Sequence, residues 1–380
     1  MAKRKAANKA GTIKHRADKR WEGQIVIGRD PATGKLKRKS IYAKTQKDLR
    51  EKMTELTAKL DSGCYVEASK MTLEQWLSVW LETYTAHLAP RTLQQYRGYI
   101  NGRIVPVLGK VKLSKLDKAM IQSFYNTLSK EVAPKTVGNI HGILHGALRQ
   151  AVDNELIPKN PAERLRLPKI KKPELKPFSD TEIANFLHES KGTEFEYLFQ
   201  FALFTGMRMG EIRGLTWDRV DFENQTIVID RQLQPIEKVQ QFIPPKHGKS
   251  RVIFPPASII QLLHRQHILQ MERKMQAGEL WEDNGFVFSN EVGRYVLSDH
   301  VYKSFKKIAS NIGRPDARPH DLRHTYACNA LKAGIDPKTL SESLGHHSVA
   351  FTLDVYAFAL DEMKKAGADK MEQFIQGFVG

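Results

Sequence analysis

The sequence has little cysteine, a deficit of acidic charge and no long apolar run. Cys64 and Cys328 are the only cysteines among 380 residues, too few and too far apart for a disulfide framework or a metal site. A reducing, cytoplasmic compartment is therefore expected. The charged N-terminus lacks the apolar core of a signal peptide, and no apolar stretch is long enough to cross a bilayer. We expect neither secretion nor a membrane partner.

The excess of basic residues is the most informative feature of the composition. Lys and Arg number 60 against 42 Asp and Glu, a formal net charge of +18, and the pI is about 9.7. Such a surplus indicates a polyanionic partner, usually nucleic acid. The alternative is a basic but solvated surface, as in a lysine-rich or ribosome-associated protein. Eight of the cations lie in residues 1–20, a block expected to order along phosphates or else to serve as a solubilising tail.

The first predicted domain, residues 1–63, combines a β-hairpin with one helix. WEGQIVIGRD alternates in hydrophobicity, DPATG is a turn signal, and KLKRKSIYAK reads as a second strand. A helix with an apolar stripe, which includes Leu49 and Met53, follows a capping signal at Thr45. A basic ribbon of this kind can enter a DNA groove, and a solvated basic face is the alternative. The candidate DNA-binding residues on the strand face are Arg29, Lys35, Lys37, Arg38 and Lys39.

The second predicted domain, residues 64–162, is all-helical. A capping box at Thr72–Gln75 starts a helix whose apolar stripe includes Trp76, which we interpret as core. Arg91 and Lys135 lie at helix starts, where unpaired backbone amides also favour phosphate, so both are candidate DNA contacts.

Residues 163–177 read as a linker with three prolines and six basic residues. Lys169, Lys171 and Lys172 are its candidate contacts to a DNA backbone that runs between two domains, and an ordinary tether is the alternative.

The third predicted domain, residues 178–360, is mainly helical with a small antiparallel sheet. QTIVIDRQL is predicted as one strand, and FIPPKHGKSRVIFPP as a hairpin that turns at Gly248 and presents Lys249 and Arg251 to DNA. The tail, residues 361–380, has apolar residues at helical spacing, which indicates a face that packs on something else.

One ordered set of residues suits attack by a tyrosine on a phosphodiester. Tyrosine can act as a covalent nucleophile, two arginines can clamp the non-bridging oxygens, and lysine and histidine can move protons. Each residue alone is weak evidence, because most such residues are surface charges or core. The candidate catalytic residues are Arg208, Lys246, His320, Arg323, His346 and Tyr356, with His320 and Arg323 on one helix face.

A metal site is the competing interpretation of the histidines. His320 and His324 have the i, i+4 spacing of metal ligands on a helix, and His346 and His347 follow. No carboxylate or thiolate lies at a matching offset, so we expect no metal.

The motifs TGMRMGEIRGLTW, PPKHGKSRVIFP, RPHDLRHTYA and LGHHSVAFTLDVY resemble those of the tyrosine recombinase (phage integrase) family. The likeness extends over the whole chain. Residues 91–162 resemble the family's SAM-like core-binding domain. Residues 12–63 resemble the AP2-like arm-binding domain of integrases from Gram-positive prophages and conjugative transposons.

This resemblance implies a role for each candidate residue. Arg208 would bind the scissile phosphate with Glu211 as its acidic support, and His320 and Arg323 would form the HxxR pair. Lys246 would be the general acid, with Lys249 as the second choice. His346, rather than His347, would be the histidine of the LGH motif. Tyr356 would be the nucleophile.

The resemblance also implies the reaction and the partners. A 3′-phosphotyrosyl intermediate and a Holliday junction would exchange strands between double-stranded attachment sites, with core-type and arm-type DNA bound by different domains. No metal, ATP or other cofactor is expected. A homo-tetramer on DNA, with each C-terminal tail packed on a neighbouring protomer, would act at the bacterial nucleoid. The sequence leaves open whether an excisionase and a host DNA-bending protein take part. The alternatives are a type IB topoisomerase-like enzyme that relaxes DNA and a non-catalytic DNA-binding regulator.

Overall fold

The computed structural model describes most of the chain. The described residues are 12–29, 34–61, 70–170, 175–237, 239–245, 248–345, 349–350, 353, 368, 371–372 and 374–378. The chain divides into two compact units, Met1–Lys171 and Lys172–Gly380, and this boundary lies inside the segment predicted as a linker. Helices combined with small antiparallel sheets confirm the predicted fold class at that level. Within the described ranges, no helix is both long and apolar enough to cross a membrane.

The first unit begins with a three-stranded antiparallel sheet and one helix. The elements are β1 (Thr12–His15), β2 (Trp21–Arg29), β3 (Leu36–Ala43) and α1 (Gln46–Asp61), with the strands in the order β1-β2-β3. Leu49 and Met53 of α1 pack with Ile25 of β2 in a small core, as the apolar stripe predicts. The sequence predicted two strands; β1 was missed because TIKH is short and lies in a run of basic residues.

The prediction that the five strand cations share one face is wrong. Ile25 pairs directly with Lys39, and Val26 with Arg38. Directly opposed residues of an antiparallel pair share a face, and successive residues alternate. Lys39 therefore lies on the face of the buried Ile25, and Arg38 lies on the opposite face. The alternation of the strand thus distributes the cations over both faces of the sheet. Four of the five are exposed, and Lys39 is half-buried.

The described part of the first unit from residue 70 onward is mainly helical around one apolar core. The elements are α2 (Leu73–Thr83), α3 (Pro90–Tyr99), a π-helical turn (Ile100–Ile104), α4 (Val105–Leu108), a 3₁₀ turn (Leu113–Lys115), α5 (Lys118–Glu131) and α6 (Pro134–Asp153). The predicted capping box is present, since the Gln75 amide donates to the Thr72 hydroxyl and the Thr72 amide donates to Gln75 Oε1. The Trp76 indole, which is buried, donates to the Ala147 carbonyl at 2.8 Å, so this aromatic side chain belongs to the core.

The second unit combines helices with short strands among its described residues. They are α7 (Asp180–Ser190), α8 (Glu196–Thr205), α9 (Met209–Arg213), a 3₁₀ turn (Trp217–Arg219), β4 (Val220–Asp221), β5 (Thr226–Ile229), β6 (Gln232–Ile236), β7 (Val239–Ile243), β8 (Arg251–Ile253), α10 (Ala257–Ala277), a 3₁₀ turn (Gly278–Leu280), α11 (Ser298–Asn311), α12 (Pro319–Lys332) and α13 (Pro337–Leu344). Aromatic and aliphatic side chains from α7, α8, α10 and α11 form its main core.

Two strand predictions in this unit are wrong. QTIVIDRQL is split between β5 and β6. Asp230 lies in the break between them, where its carboxylate accepts from Arg219 Nε at 2.9 Å. The segment predicted as one hairpin around Gly248 belongs to two sheets. β7 pairs with β6, whereas β8 returns to pair with β5 in the order β4-β5-β8.

Candidate active site

The turn between α8 and α9 positions Arg208. Gly206 ends α8 with φ +62°, and a Cβ atom on it would lie 2.3 Å from Cδ1 of Tyr326. Only glycine combines this backbone conformation with so close an approach. Arg208 is the N-cap of α9 in an extended conformation, so its side chain leaves the turn toward α12 and the end of α13.

Glu211, three residues later, is the electrostatic centre of the site. Its side chain is fully buried, and its carboxylate accepts from the Arg208 amide and from Arg208 Nη1, each at 2.9 Å. Arg251 adds a bidentate pair, with Nη1 to Oε1 at 3.0 Å and Nη2 to Oε2 at 2.7 Å. Burial by itself raises the pKa of Glu211, but the hydrogen bonds and charges of Arg251 and Arg208 hold it below its usual value. Glu211 is therefore ionised near neutral pH.

Helix α12 contributes His320 and Arg323. Its N-cap is Arg318, whose amide donates to the carboxylate of Asp321 at 2.8 Å. Arg323 is buried, and its Nη1 donates to the Gly206 carbonyl at 2.8 Å. His320 lies edge-on to His324, with ring centroids 4.7 Å apart. The predicted i, i+3 pair is thus placed beside the turn that carries Arg208.

Three arginines converge on the end of α13. Arg251 Nε donates to the Ser343 carbonyl at 2.7 Å, Arg323 Nη2 to that of Leu344 at 2.7 Å, and Arg208 Nη2 to that of Gly345 at 2.8 Å. The last carbonyls of a helix carry partial negative charge and have no partners within the helix, so guanidinium groups are favoured there. Gly345 is the left-handed C-cap, and His346 is the next residue of the chain.

Lys246, His346 and Tyr356 lie outside the described residues, as does His347. Their proposed roles rest on the motifs and on their neighbours in the chain. No group of three or more metal-ligating side chains occurs among the residues that the structure describes.

The remaining DNA-binding candidates differ in placement. Arg91, Lys135, Lys169 and Lys249 are exposed, and Lys171 and Lys172 lie outside the described residues. Arg91 and Lys135 each follow a proline at the first position of a helix. Arg251 is different, because its side chain is 9% exposed and is held by Glu211 and Ser343. Sequence reasoning missed this, since nothing local separates Arg251 from the exposed Lys249 two residues earlier.

The side chain of His320 is exposed to solvent on one side, while its ring lies among His324 and arginine side chains. Burial first, and then the nearby His324 and Arg323, lower the pKa of His320 to about 3. Its imidazole is therefore neutral in the DNA-free protein at neutral pH. Because an unfolded histidine takes up a proton near its usual pKa of about 6.5, protonation favours unfolding as the pH falls below that value.

This gives a testable pH dependence of stability. Because the unfolded state binds the proton first, His320 should lower the free energy of unfolding between pH 7 and pH 5, by less than about 1 kcal/mol because the side chain is exposed to solvent. Urea unfolding of the full chain at both pH values measures this loss. In His320→Asn the loss of unfolding free energy between the two pH values should be smaller than in wild type. In the matched control His188→Asn, at a side chain that is 84% exposed, the loss should equal that of wild type. Equal pH dependence in His320→Asn and wild type would contradict the assignment.

Comparison with known proteins agrees with these motifs. The profile of the phage integrase family matches residues 175–363, and that of the phage integrase N-terminal SAM-like domain matches residues 72–129. A "tyrosine recombinase XerC-like" protein of Caldanaerobacter subterraneus subsp. tengcongensis is 30% identical over 362 residues, which cover 90% of this chain and 92% of that protein.

Two solved structures share the fold. The Tn1549 transposon integrase in complex with transposon right end DNA has a TM-score of 0.67 and 21% identity, over 78% of this chain and 100% of that one. A lambda integrase tetramer bound to a Holliday junction has a TM-score of 0.58 and 17% identity, over 93% and 97% of the two chains.

Proposed function

Because the chain belongs to the tyrosine recombinase (phage integrase) family, whose enzymes transfer DNA strands, we propose that its reaction proceeds through a phosphotyrosine on Tyr356. The observation that supports this most strongly is the convergence of Arg208 and Arg323 on Leu344 and Gly345, directly before His346. Two permanently charged guanidinium groups lie together directly before the motif histidine in the chain, and such an arrangement suits the binding of a phosphodiester.

Each step of the proposed reaction can be assigned to a residue of this chain. The Tyr356 oxygen attacks phosphorus, and the bond to the 5′-oxygen breaks. Arg208 and Arg323 offset the charge on the non-bridging oxygens, and donors aimed at such developing charge are usually the largest catalytic contribution. Lys246 gives a proton to the leaving 5′-oxygen, with Lys249 as the second candidate. The 5′-hydroxyl of a partner duplex then attacks the phosphotyrosine, so the energy of the broken bond is retained and no ATP, metal or other cofactor is needed.

The substrate itself makes His320 a better base. In the DNA-free protein its pKa is about 3, so it holds a proton poorly. A bound phosphodiester adds a negative charge that favours the imidazolium and raises this pKa. His320 and His346 are proposed to take the tyrosine proton only when DNA occupies the site.

The domains have separate proposed tasks. Residues 1–63, with a basic tail and a three-stranded sheet, form an AP2-like module for arm-type DNA. Residues 64–162 form the SAM-like core-binding domain, 163–177 the basic linker and 178–360 the catalytic domain. The proposed DNA contacts of the first module use its exposed cations on both sheet faces, together with the N-terminal block.

Assembly is proposed to be a tetramer on two DNA sites, with the tail, residues 361–380, packed on a neighbouring protomer. The described part of this tail is helical and leaves four apolar side chains between 46% and 77% exposed. They are Met371, Phe374, Ile375 and Phe378. Their i, i+3, i+4, i+7 spacing forms one stripe, which favours a docking face.

The biological reaction is proposed to be integration and excision of a mobile element. A plasmid pair with two attachment sites should yield recombinant products. A type IB topoisomerase-like enzyme would instead relax supercoiled DNA without exchanging strands between sites, and a DNA-binding regulator would do neither. Relaxation without recombinants would contradict the proposal.

Removing residues 1–63 should separate cleavage from integration. Because the cleavage residues all lie in the second unit, the shortened chain should cleave core-site DNA at about the wild-type rate. Binding of arm-type DNA and integration from a full attachment site should fall at least tenfold, since phosphate contacts dominate affinity. Gel-shift and recombination assays measure these losses, and undiminished integration would make the arm assignment wrong.

A further inference from the structure

Arg251 is built into the candidate active site rather than onto a DNA-facing surface. It begins β8, and its planar guanidinium forms both bonds of a carboxylate fork with the fully buried Glu211. Its Nε donates to the Ser343 carbonyl. A planar guanidinium can donate two hydrogen bonds to a carboxylate and a third to a carbonyl at the same time. The ammonium group of a lysine cannot reproduce this planar arrangement of donors.

The geometry around Glu211 links Arg251 to Arg208. Each carboxylate oxygen accepts one bond from Arg251 and one from Arg208, through Nη1 on Oε1 and through the backbone amide on Oε2. Arg251 therefore restricts how the carboxylate can rotate. A fixed carboxylate in turn fixes Arg208, whose other Nη group reaches Gly345.

The charge of this cluster also favours an anion. One carboxylate between two guanidinium groups leaves a net charge of +1. Without Arg251, Glu211 and Arg208 would form a neutral pair, and part of the field that attracts a phosphate would be lost. Since Glu211 is buried, little solvent is available to replace that field.

The turn before His346 is packed on the same guanidinium. A Cβ atom on Gly345 would lie 3.0 Å from Arg251 Nη1 and 3.2 Å from its Cζ, and the Gly345 φ of +65° is one that glycine tolerates best. The Arg251 guanidinium thus packs against Gly345, whose carbonyl also accepts a hydrogen bond from Arg208.

We infer that Arg251 is a positioning residue for Arg208, which acts through Glu211 and the Ser343–Gly345 turn. The inference rests on the proposed function, in which Arg208 binds the scissile phosphate. Arg251 itself need not touch DNA.

Single-turnover cleavage by the full chain tests this inference with two DNA substrates. One has the natural phosphodiester at the cleavage site, and the other has a methylphosphonate, which lacks the negative non-bridging oxygen. Arg251→Gln and Arg251→Lys should lower cleavage of the phosphodiester by about 10²-fold and 10-fold respectively, since an active-site donor is misplaced. On the methylphosphonate the losses should shrink to about threefold or less, because the need for a correctly placed Arg208 is relaxed.

The controls separate positioning from folding. Arg219→Gln removes two other ion pairs of the same unit, those with Asp218 and Asp230, and should leave both rates within about twofold of wild type. Arg208→Lys should show the same relief on the methylphosphonate as the Arg251 variants. Arg251→Lys retains the charge, so its melting temperature reports whether the fold persists while cleavage falls.

The outcomes are distinct. Phosphodiester cleavage within twofold of wild type in both Arg251 variants would overturn the inference, as would equal losses on the two substrates, which indicate a structural role alone. If the wild type forms no covalent product, or if Arg208→Lys cleaves normally, the proposed function fails and the inference fails with it.

Discussion

Arg208→Lys lowers the single-turnover rate of DNA cleavage by about 10²–10³-fold, a loss typical of removing a donor to developing negative charge. In the structure, Nη1 of Arg208 binds Glu211 and Nη2 binds Gly345, which aims one planar fork at the proposed phosphate position. A lysine places a single point charge on a flexible chain and cannot satisfy both partners while also binding two phosphate oxygens.

DNA affinity should change little in the same variant. The charge is retained and most of the proposed phosphate contacts lie elsewhere, so the dissociation constant should stay within about threefold. Covalent product formation on nicked DNA measures the rate, and gel shift measures affinity. Arg219→Lys is the matched control, because Arg219 forms an ion pair outside the site. Cleavage by Arg208→Lys within threefold of wild type would remove Arg208 from its proposed role.

Glu211→Ala lowers the free energy of unfolding by about 3–5 kcal/mol, because the substitution leaves buried cations without their counter-charge. The carboxylate is fully buried, and Arg208 and Arg251 both depend on it. In the second unit this should reduce the melting temperature by about 10 °C. Glu282→Ala, at an exposed ion pair with Arg294, is the control and should not shift the melting temperature measurably.

The stability difference should depend on pH in a defined direction. The folded-state pKa of Glu211 is lowered, so its stabilising effect is present above the unfolded value of about 4.5 and is lost as the pH falls through the folded value. Wild type and Glu211→Ala should therefore approach each other only in acid. A melting temperature for Glu211→Ala equal to that of wild type at pH 7 would contradict the central place of this carboxylate.

Local patterns predicted the local structure. The capping box at Thr72 was predicted from residue identity and is present with both hydrogen bonds. The apolar stripe that includes Leu49 and Met53 is buried because i, i+3 and i+4 positions share a helix face. The spacing of His320 and Arg323 likewise placed both on the first turns of α12.

Long-range pairing could not be predicted from those patterns. The pairing of β8 with β5, rather than with β7, depends on the path of the chain between them. Arg251 meets Glu211 and Ser343, which lie 40 and 92 residues away in sequence. No local feature of the sequence indicates a charge partner so far away in the chain, so Arg251 was predicted as a DNA contact. The prediction that the strand cations share one face was wrong for a related reason, because the strand register fixes which face each side chain occupies.

Covalent trapping tests the central claim, that Tyr356 is the nucleophile of a DNA strand-transfer enzyme. The substrate is attachment-site DNA nicked beside the cleavage position, so that a short fragment leaves after cleavage and rejoining is blocked. The wild-type chain should form a protein–DNA adduct that survives denaturation and forms equally well in EDTA, and Tyr356→Phe should form none while still binding the DNA. Absence of an adduct with the wild type, or an adduct that persists in Tyr356→Phe, would contradict the account.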